Sequence, residues 1–273
     1  MFSWQKFALC LLALSLTTTV LAETLTITGS GNPEYVLGEL ASVFNAQQKQ
    51  HQILIPPTTG TAGAIRDVTN GVTSIGRVGR PLTDRERSGG LRFHPIGRDP
   101  VVFAGGAGVS VRTVTRQQMT DVYVGKLTNW RDLGGKTSPI RAIGREDTDA
   151  SRQAINREIK TFSGMKIHKD VKIVHLDSQL LELLDRFSTS LGFLNRSALS
   201  AAKTKLVVLS LDSVEPNAEN VASGRYPIFL EFGLIYKEGG LTDAGRAFLG
   251  FVESPAGIRL LRSNGVVPTA PVN

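Results

Sequence analysis

Two hydrophobic periods alternate along the chain. Leu25-Thr26-Ile27-Thr28 has the period of two expected of a strand and runs into the turn Gly29-Ser30-Gly31-Asn32-Pro33. From Glu34 to Gln50 the apolar residues Val36, Leu37, Leu40, Val43 and Phe44 recur at helical spacing. Ile53-Leu54-Ile55 predicts a short buried strand, followed by the polar loop Thr58 to Gly63 and a helix to Asn70 that Gly71 closes. Ser74-Ile75-Gly76 predicts another short strand. Strand, polar loop and helix in this order are the pattern of a parallel sheet with ligand loops at its strand ends.

The alternation continues through the middle of the chain. Strands are expected at Val101 to Ala104, Arg141 to Ile143, Lys172 to His175, Gly192 to Leu194 and Leu206 to Leu209. Helices are expected at Thr115 to Val124, Ser151 to Phe162 and Gln179 to Arg186. Two more close the sequence, Thr242 to Val252 and Ser254 to Ser263, with Thr242 and Ser254 as N-caps and Gly265 after the last stop. No tandem repeat or long linker interrupts this, so the expected fold is α/β, in two lobes joined by crossing strands rather than by a flexible tether.

The first residues set the expected compartment. Lys6, the apolar stretch Phe7 to Val20 and the small-residue pattern Val20-Leu21-Ala22 before Glu23 predict a cleaved secretory leader over residues 1–22. Cys10, the single cysteine, lies inside that leader, so the mature chain is expected to have no disulfide, no thiol chemistry and no cysteine–metal site. The chain carries a formal charge of +7, which leader removal lowers by the one charge of Lys6. A moderately basic exported protein suits anionic ligands without identifying one.

Three polar loops stand between a predicted strand and a predicted helix: Ser30-Gly31-Asn32, Gly60-Thr61-Ala62-Gly63 and Arg145 to Ser151. Glycine lets backbone approach a ligand, hydroxyls donate, and arginine pairs with an oxyanion through two N–H groups at once. A helix N-terminus adds open N–H groups and the positive end of its dipole. Other chemistries find no support. The histidines His51, His94, His168 and His175 lack metal-ligand spacing, and no Gly-x-Ser-x-Gly elbow occurs. Gly135-Lys136-Thr137 lacks the leading glycine of a phosphate loop, since Trp130 stands there. Basic residues are not interleaved with aromatics, so no nucleic-acid partner is expected. No catalytic residue, metal or cofactor is assigned.

The segments "GSGNPEYV", "TTGTAGAIRDV", "GRPLTDRE", "MTDVYVGKLTNWRDLGG", "GREDTDASR" and the C-terminal run from Arg225 to Pro268 carry a resemblance. The chain resembles the periplasmic phosphate-binding proteins of ABC transporters, of the type II periplasmic binding fold, over nearly all of its mature length. The resemblance implies mixed sheets flanked by helices and hinge strands between the lobes. One lobe is expected over residues 23–98 plus 230–273 and the other over 99–229. It also implies a monomeric periplasmic receptor for inorganic phosphate or a related oxyanion, delivering it to an ABC permease in the inner membrane. Ser30, Gly31, Asn32, Thr61, Arg145, Asp149 and Ser151 fall on the family's ligand loops.

Two positions depart from the family pattern. Gly79 stands where an Asp or Ser is expected, and Asp149 where the helix should open with a serine. An ionised carboxylate accepts hydrogen bonds only, so it can take the proton that phosphate carries and sulfate lacks. The acceptor has then either moved from position 79 to Asp149, or Asp149 caps its own helix and the anion site is altered. The alternative function is an exported non-transport protein of the same fold, such as a sensor, adhesin or biofilm component. A phosphatase rests on resemblance alone.

Overall fold

The computed structural model describes residues 23–269; the expected leader with Cys10, and residues 270–273, lie outside the described residues. The chain opens with β1 (Glu23–Thr26), β2 (Thr28–Gly29), α1 (Glu34–Gln47) and β3 (His51–Leu54). It continues through α2 (Gly60–Thr69), β4 (Ile75–Val78) and α3 (Asp84–Ser88) into one long strand, β5 (Leu91–Gly105). Next come β6 (Thr113–Val114), α4 (Arg116–Tyr123), a 3₁₀ turn at Trp130–Leu133, β7 (Arg141–Arg145) and α5 (Ala150–Glu158). Then follow β8 (Lys172–Val174), α6 (Asp177–Arg186), β9 (Ser190–Asn195), a second 3₁₀ turn at Arg196–Ala201, β10 (Val207–Leu211) and α7 (Ala218–Ala222). The return strand β11 (Phe229–Lys237) leads to α8 (Asp243–Glu253), α9 (Pro255–Ser263) and β12 (Val267–Pro268).

The fold is a two-lobed α/β structure with mixed sheets. The main sheet runs β2-β4-β11-β5-β9-β7-β8, with β10 and β12 pairing β5 off that path. Strands joined through helices pair in parallel, as in β2 with β4 and β7 with β8 and β9. The crossing strands β5 and β11 are antiparallel to each other and to their other neighbours, which makes the sheet mixed rather than purely parallel. β5 serves both lobes: Leu91 to Pro100 pair with β11, and Val101 to Gly105 pair with β9.

Core packing divides along these strands. One core joins Leu25, Val36, Leu37, Leu40 and Ile96 to Phe232, Leu234, Phe248 and Val266. A second joins Val101 and Phe103 to Trp130, Ile155, Phe162, Phe193 and Ile228. Within the second, the rings of Phe103, Tyr123, Phe162 and Phe193 meet mostly edge to face, with centroids 5.2 Å apart for Tyr123 and Phe162. Such pairs add roughly 0.5–1.5 kcal/mol each beyond their burial. They form a stiff floor under α5, the helix that carries Ser151.

Helix starts agree with their caps. Thr115, Thr242 and Ser254 each accept a backbone N–H from the first turn of α4, α8 and α9. Four expectations are corrected. α1 ends at Gln47 instead of Gln50, because Gln48 is extended and β3 begins at His51. α5 ends at Glu158 instead of Phe162, because Ile159 is extended and the chain turns at Gly164 (φ 72°); Ile159 and Phe162 still reach the core from outside the helix. α6 begins two residues earlier than Gln179, at Asp177. β5 begins ten residues before Val101, in a segment whose Pro95 and Pro100 speak against a strand.

Candidate functional site

The turn after β2 owes its shape to a buried cation. Gly29 sits at φ 136°, and a Cβ there would lie 2.0 Å from the carbonyl oxygen of Arg77, so only glycine fits. Ser30 N donates to that same oxygen at 2.9 Å. The Arg77 guanidinium is wholly buried and donates to the carbonyls of Ile27, Ser30 (2.7 Å) and Pro56 (2.7 Å) and to Glu34 Oε2 (3.0 Å). Burial holds the Glu34 carboxyl above its usual range despite Arg77. Arg77 and Arg80 both flank Gly79 in sequence, but Arg77 holds the backbone and Arg80 pairs with Glu86 at 2.8 Å.

The second loop packs on the first. Thr58 Oγ1 donates to the Gly29 carbonyl at 2.9 Å, and Thr59 N donates to it at 3.0 Å. Gly60 (φ 74°) then opens α2, whose N-terminus has no side-chain cap. The Thr61 hydroxyl accepts from Gly79 N at 3.3 Å. A Cβ on Gly79 would stand 2.8 Å from Ser30 Oγ and 3.2 Å from Asn32 Oδ1. Any side chain at position 79 would therefore require the Ser30 hydroxyl to shift and crowd Asn32.

The third loop follows β7. Arg145, 5% exposed, donates from Nη2 to Asp149 Oδ2 at 2.7 Å and to the His175 carbonyl at 3.0 Å, and from Nη1 to Asp177. Its Nε is buried and has no partner. Asp149 is the N-cap of α5, and its Oδ1 accepts Arg152 N at 3.0 Å. Burial raises the Asp149 carboxyl above its usual range; Arg145 opposes that, and the neighbouring charge of Asp177 adds to it. One arginine thus lies between two buried carboxylates. Asp177 has no local signal in the sequence, since it lies two residues before the helix start expected at Gln179.

Asn32 joins the loops. Its Nδ2 donates to Ser151 Oγ at 3.4 Å, its Oδ1 accepts from Ser30 Oγ at 3.4 Å, and its backbone oxygen accepts Asn195 Nδ2 at 2.9 Å. Ser30, Asn32 and Ser151 are all buried. The structure therefore brings Ser30, Asn32, Thr61 and Gly79 together on one side and meets them with Ser151, whose helix is capped by Asp149 and so lies beside Arg145. Gly31 sits in the same turn, and a Cβ there would touch Thr58 at 3.4 Å. Beneath lies a fully buried group: Asn195 also donates to Asp99 Oδ2 (2.8 Å), and Ser197 donates to Asp99 through Oγ (2.5 Å) and N (3.1 Å). Asp99, Asn195 and Ser197 carry no local sequence signal, since β5, β9 and a 3₁₀ turn bring them together only in the fold.

Hydroxyls, an amide, the N-terminus of α1, which has no side-chain cap, and a buried arginine gather donors of the kind that suit a small oxyanion. Among the described residues, no helix is long and apolar enough to cross a membrane. The family model of the PBP superfamily domain matches residues 17–256. The chain is 24% identical over 234 residues to the phosphate-binding protein PstS of Bacillus subtilis, covering 84% of this chain and 75% of that protein. It is 21% identical over 249 residues to PstS of Borreliella burgdorferi, covering 88% of each. A crystal structure of a phosphate ABC transporter substrate-binding protein from Clostridium perfringens with bound phosphate superposes with a TM-score of 0.75 at 26% identity, over 90% of this chain and all of that one. An ABC-type phosphate transport receptor from Vibrio cholerae gives 0.63 at 20%, over 89% and 99%.

Proposed function

The chain belongs to the PBP superfamily, and from that premise we propose that it is the phosphate receptor of an ABC importer. Its ligand is inorganic phosphate, bound between the lobes and handed to a permease in the inner membrane. The observation that supports it is the contact of Asn32 with Ser151, which brings the turn after β2 and the first turn of α5 together among donor groups. The relatives named as phosphate-binding proteins support phosphate as the anion.

In this reading Ser30, Thr61 and Ser151 donate hydroxyls, Gly31 and Asn32 offer backbone N–H groups, and Arg145 supplies charge. Asp149 holds Arg145 and caps α5 while facing the ligand. The lobes divide at residues 23–98 plus 230–273 and 99–229, and β5 and β11 act as hinge strands. Binding energy goes into closing the lobes, and the closed form is what the permease recognises. Export through a cleaved leader places the receptor in the periplasm as a monomer.

Calorimetry on ligand-stripped mature protein tests this, with sulfate as the control. Micromolar or tighter binding of phosphate with no heat from sulfate is expected. No binding of either anion up to millimolar concentration would refute it.

A further inference from the structure

The turn from Gly29 to Asn32 has every carbonyl tied back. Gly29 O accepts Thr58 Oγ1 and Thr59 N, Ser30 O accepts Arg77 Nε, and Gly31 O accepts Glu34 N at 3.0 Å. A planar trans peptide points its C=O and N–H in opposite directions. The hold on Ser30 O therefore aims the N–H of Gly31, and the hold on Gly31 O aims that of Asn32. Neither N–H has a partner among the described residues. Two successive open amides are what the turn offers to an anion. These holds shape the turn, but they do not place it against the loop of Arg145 and Ser151.

The fourth carbonyl is held differently. Asn32 O accepts Nδ2 of Asn195 at 2.9 Å, from the end of β9. The same nitrogen lies 2.8 Å from Asp99 Oδ2 and 2.9 Å from Ser197 Oγ. Three acceptors settle which way the amide faces: turned over, Oδ1 would meet a carboxylate and a carbonyl. Oδ1 is buried and has no partner, so Asn195 acts through its donors alone. Asp99 pairs with Leu230 of β11, and Asn195 pairs with Val101 where β5 passes to β9. One amide thus fastens the turn to the strand that crosses between the lobes.

We propose that Asn195 is a positioning residue for phosphate: it holds the open amides of Gly31 and Asn32 in line with Ser151 and Arg145 and does not touch the ligand itself. The inference rests on the phosphate-receptor reading above. In that reading the turn belongs to one lobe and Asn195 to the other, so the Asn195–Asn32 bond spans the lobes beside the contact of Asn32 with Ser151. The two hydrogens on Nδ2 serve Asp99 and Asn32, and Ser197 Oγ shares one of them while donating its own to Asp99. Without Asn195 the turn keeps its internal shape through Arg77 and Glu34, but the two sets of donors lose their common register. The bound anion then leaves faster, while its arrival is unchanged.

The test compares Asn195→Ala with Ser197→Ala. Each takes one side-chain donor from Asp99, so both should lose stability in urea, but only Asn195→Ala releases the Asn32 carbonyl. Calorimetry should show the phosphate Kd rising at least about tenfold in Asn195→Ala, and stopped-flow release should be faster by a similar factor. In Ser197→Ala both should stay within about threefold of the natural chain. Equal losses in the two variants, or full affinity in Asn195→Ala, would overturn the inference and leave the receptor reading standing. Should Asn195→Ala not fold, NMR of the natural chain decides. The signal of the Asn195 side-chain amide should shift on phosphate addition together with those of the Gly31 and Asn32 N–H groups, and an unmoved Asn195 signal would overturn the inference. No phosphate binding by the natural chain would overturn both.

Discussion

Asp99 should make the protein more stable in mild acid, against the usual behaviour of a carboxylate. It is 1% exposed on the strand that crosses between the lobes, and its hydrogen bonds come from Ser197 and Asn195. Burial outweighs those bonds and pushes its carboxyl from 3.8 up to about 6. The folded state therefore holds a proton between these limits that the unfolded chain has lost. The resulting stabilisation is fully present below pH 3.8 and is lost as pH rises through about 6. At about 1.4 kcal/mol per unit, the full shift from 3.8 to about 6 corresponds to about 3 kcal/mol. About 2 kcal/mol of that falls between pH 4.5 and 6.5.

Other carboxyls titrate in the same range, so the readout is a difference. Urea unfolding of the natural chain and of Asp99→Asn is measured at pH 4.5, 5.5, 6.5 and 7.5. The variant is offset at every pH, since an amide keeps one acceptor oxygen for Asn195 Nδ2 and Ser197 Oγ and leaves Ser197 N without the second. The stability of the natural chain relative to the variant should be highest at pH 4.5 and fall by about 2 kcal/mol by pH 6.5, then stay level. A difference independent of pH, or one that grows as pH rises, would refute the assignment of a raised carboxyl to Asp99.

Two further outcomes follow from the packing of the loops around Ser30 and Arg77. Gly79→Ala puts a methyl 2.8 Å from Ser30 Oγ, so the hydroxyl must shift; phosphate affinity measured by calorimetry should fall at least tenfold, while stability changes by about 1–3 kcal/mol. Arg77→Met leaves Glu34 unpaired and three carbonyls without their donor; denaturant unfolding should show a loss of about 3–5 kcal/mol.

Much of the candidate site was legible because each of its polar loops is punctuated locally. Glycines, hydroxyls and an arginine stand between a strand period and a helix period, and the structure keeps Ser30, Asn32, Thr61 and Ser151 together. What local sequence could not supply was partnership. Arg77 reads as one more cation beside Gly79, and only burial by α1, β2 and the Pro56 segment makes it a structural strut. Asp177 lies 32 residues from Arg145, so nothing near either residue announces the pair. The long strand β5 was hidden for a different reason. Pro95 and Pro100 cannot donate to a ladder, yet β5 tolerates them where register shifts at Phe232 and Gly233 and where pairing passes from β11 to β9.

The division of the cores has a consequence for the order in which the molecule is made. The buried residues of the core around Phe103 and Phe162 run from Val101 to Leu230, and from outside that stretch only the partly buried Val267 packs against them. The other core needs Leu25 and Ile27 but also Phe232, Phe248 and Val266 from the far end of the chain. A polypeptide emerging N-terminus first can complete the internal lobe while the opening segment still waits for its partners. Leu25 and Ile27 are thus among the last residues to find a finished environment, and their core stays incomplete until the segment from Phe232 to Val266 has been made.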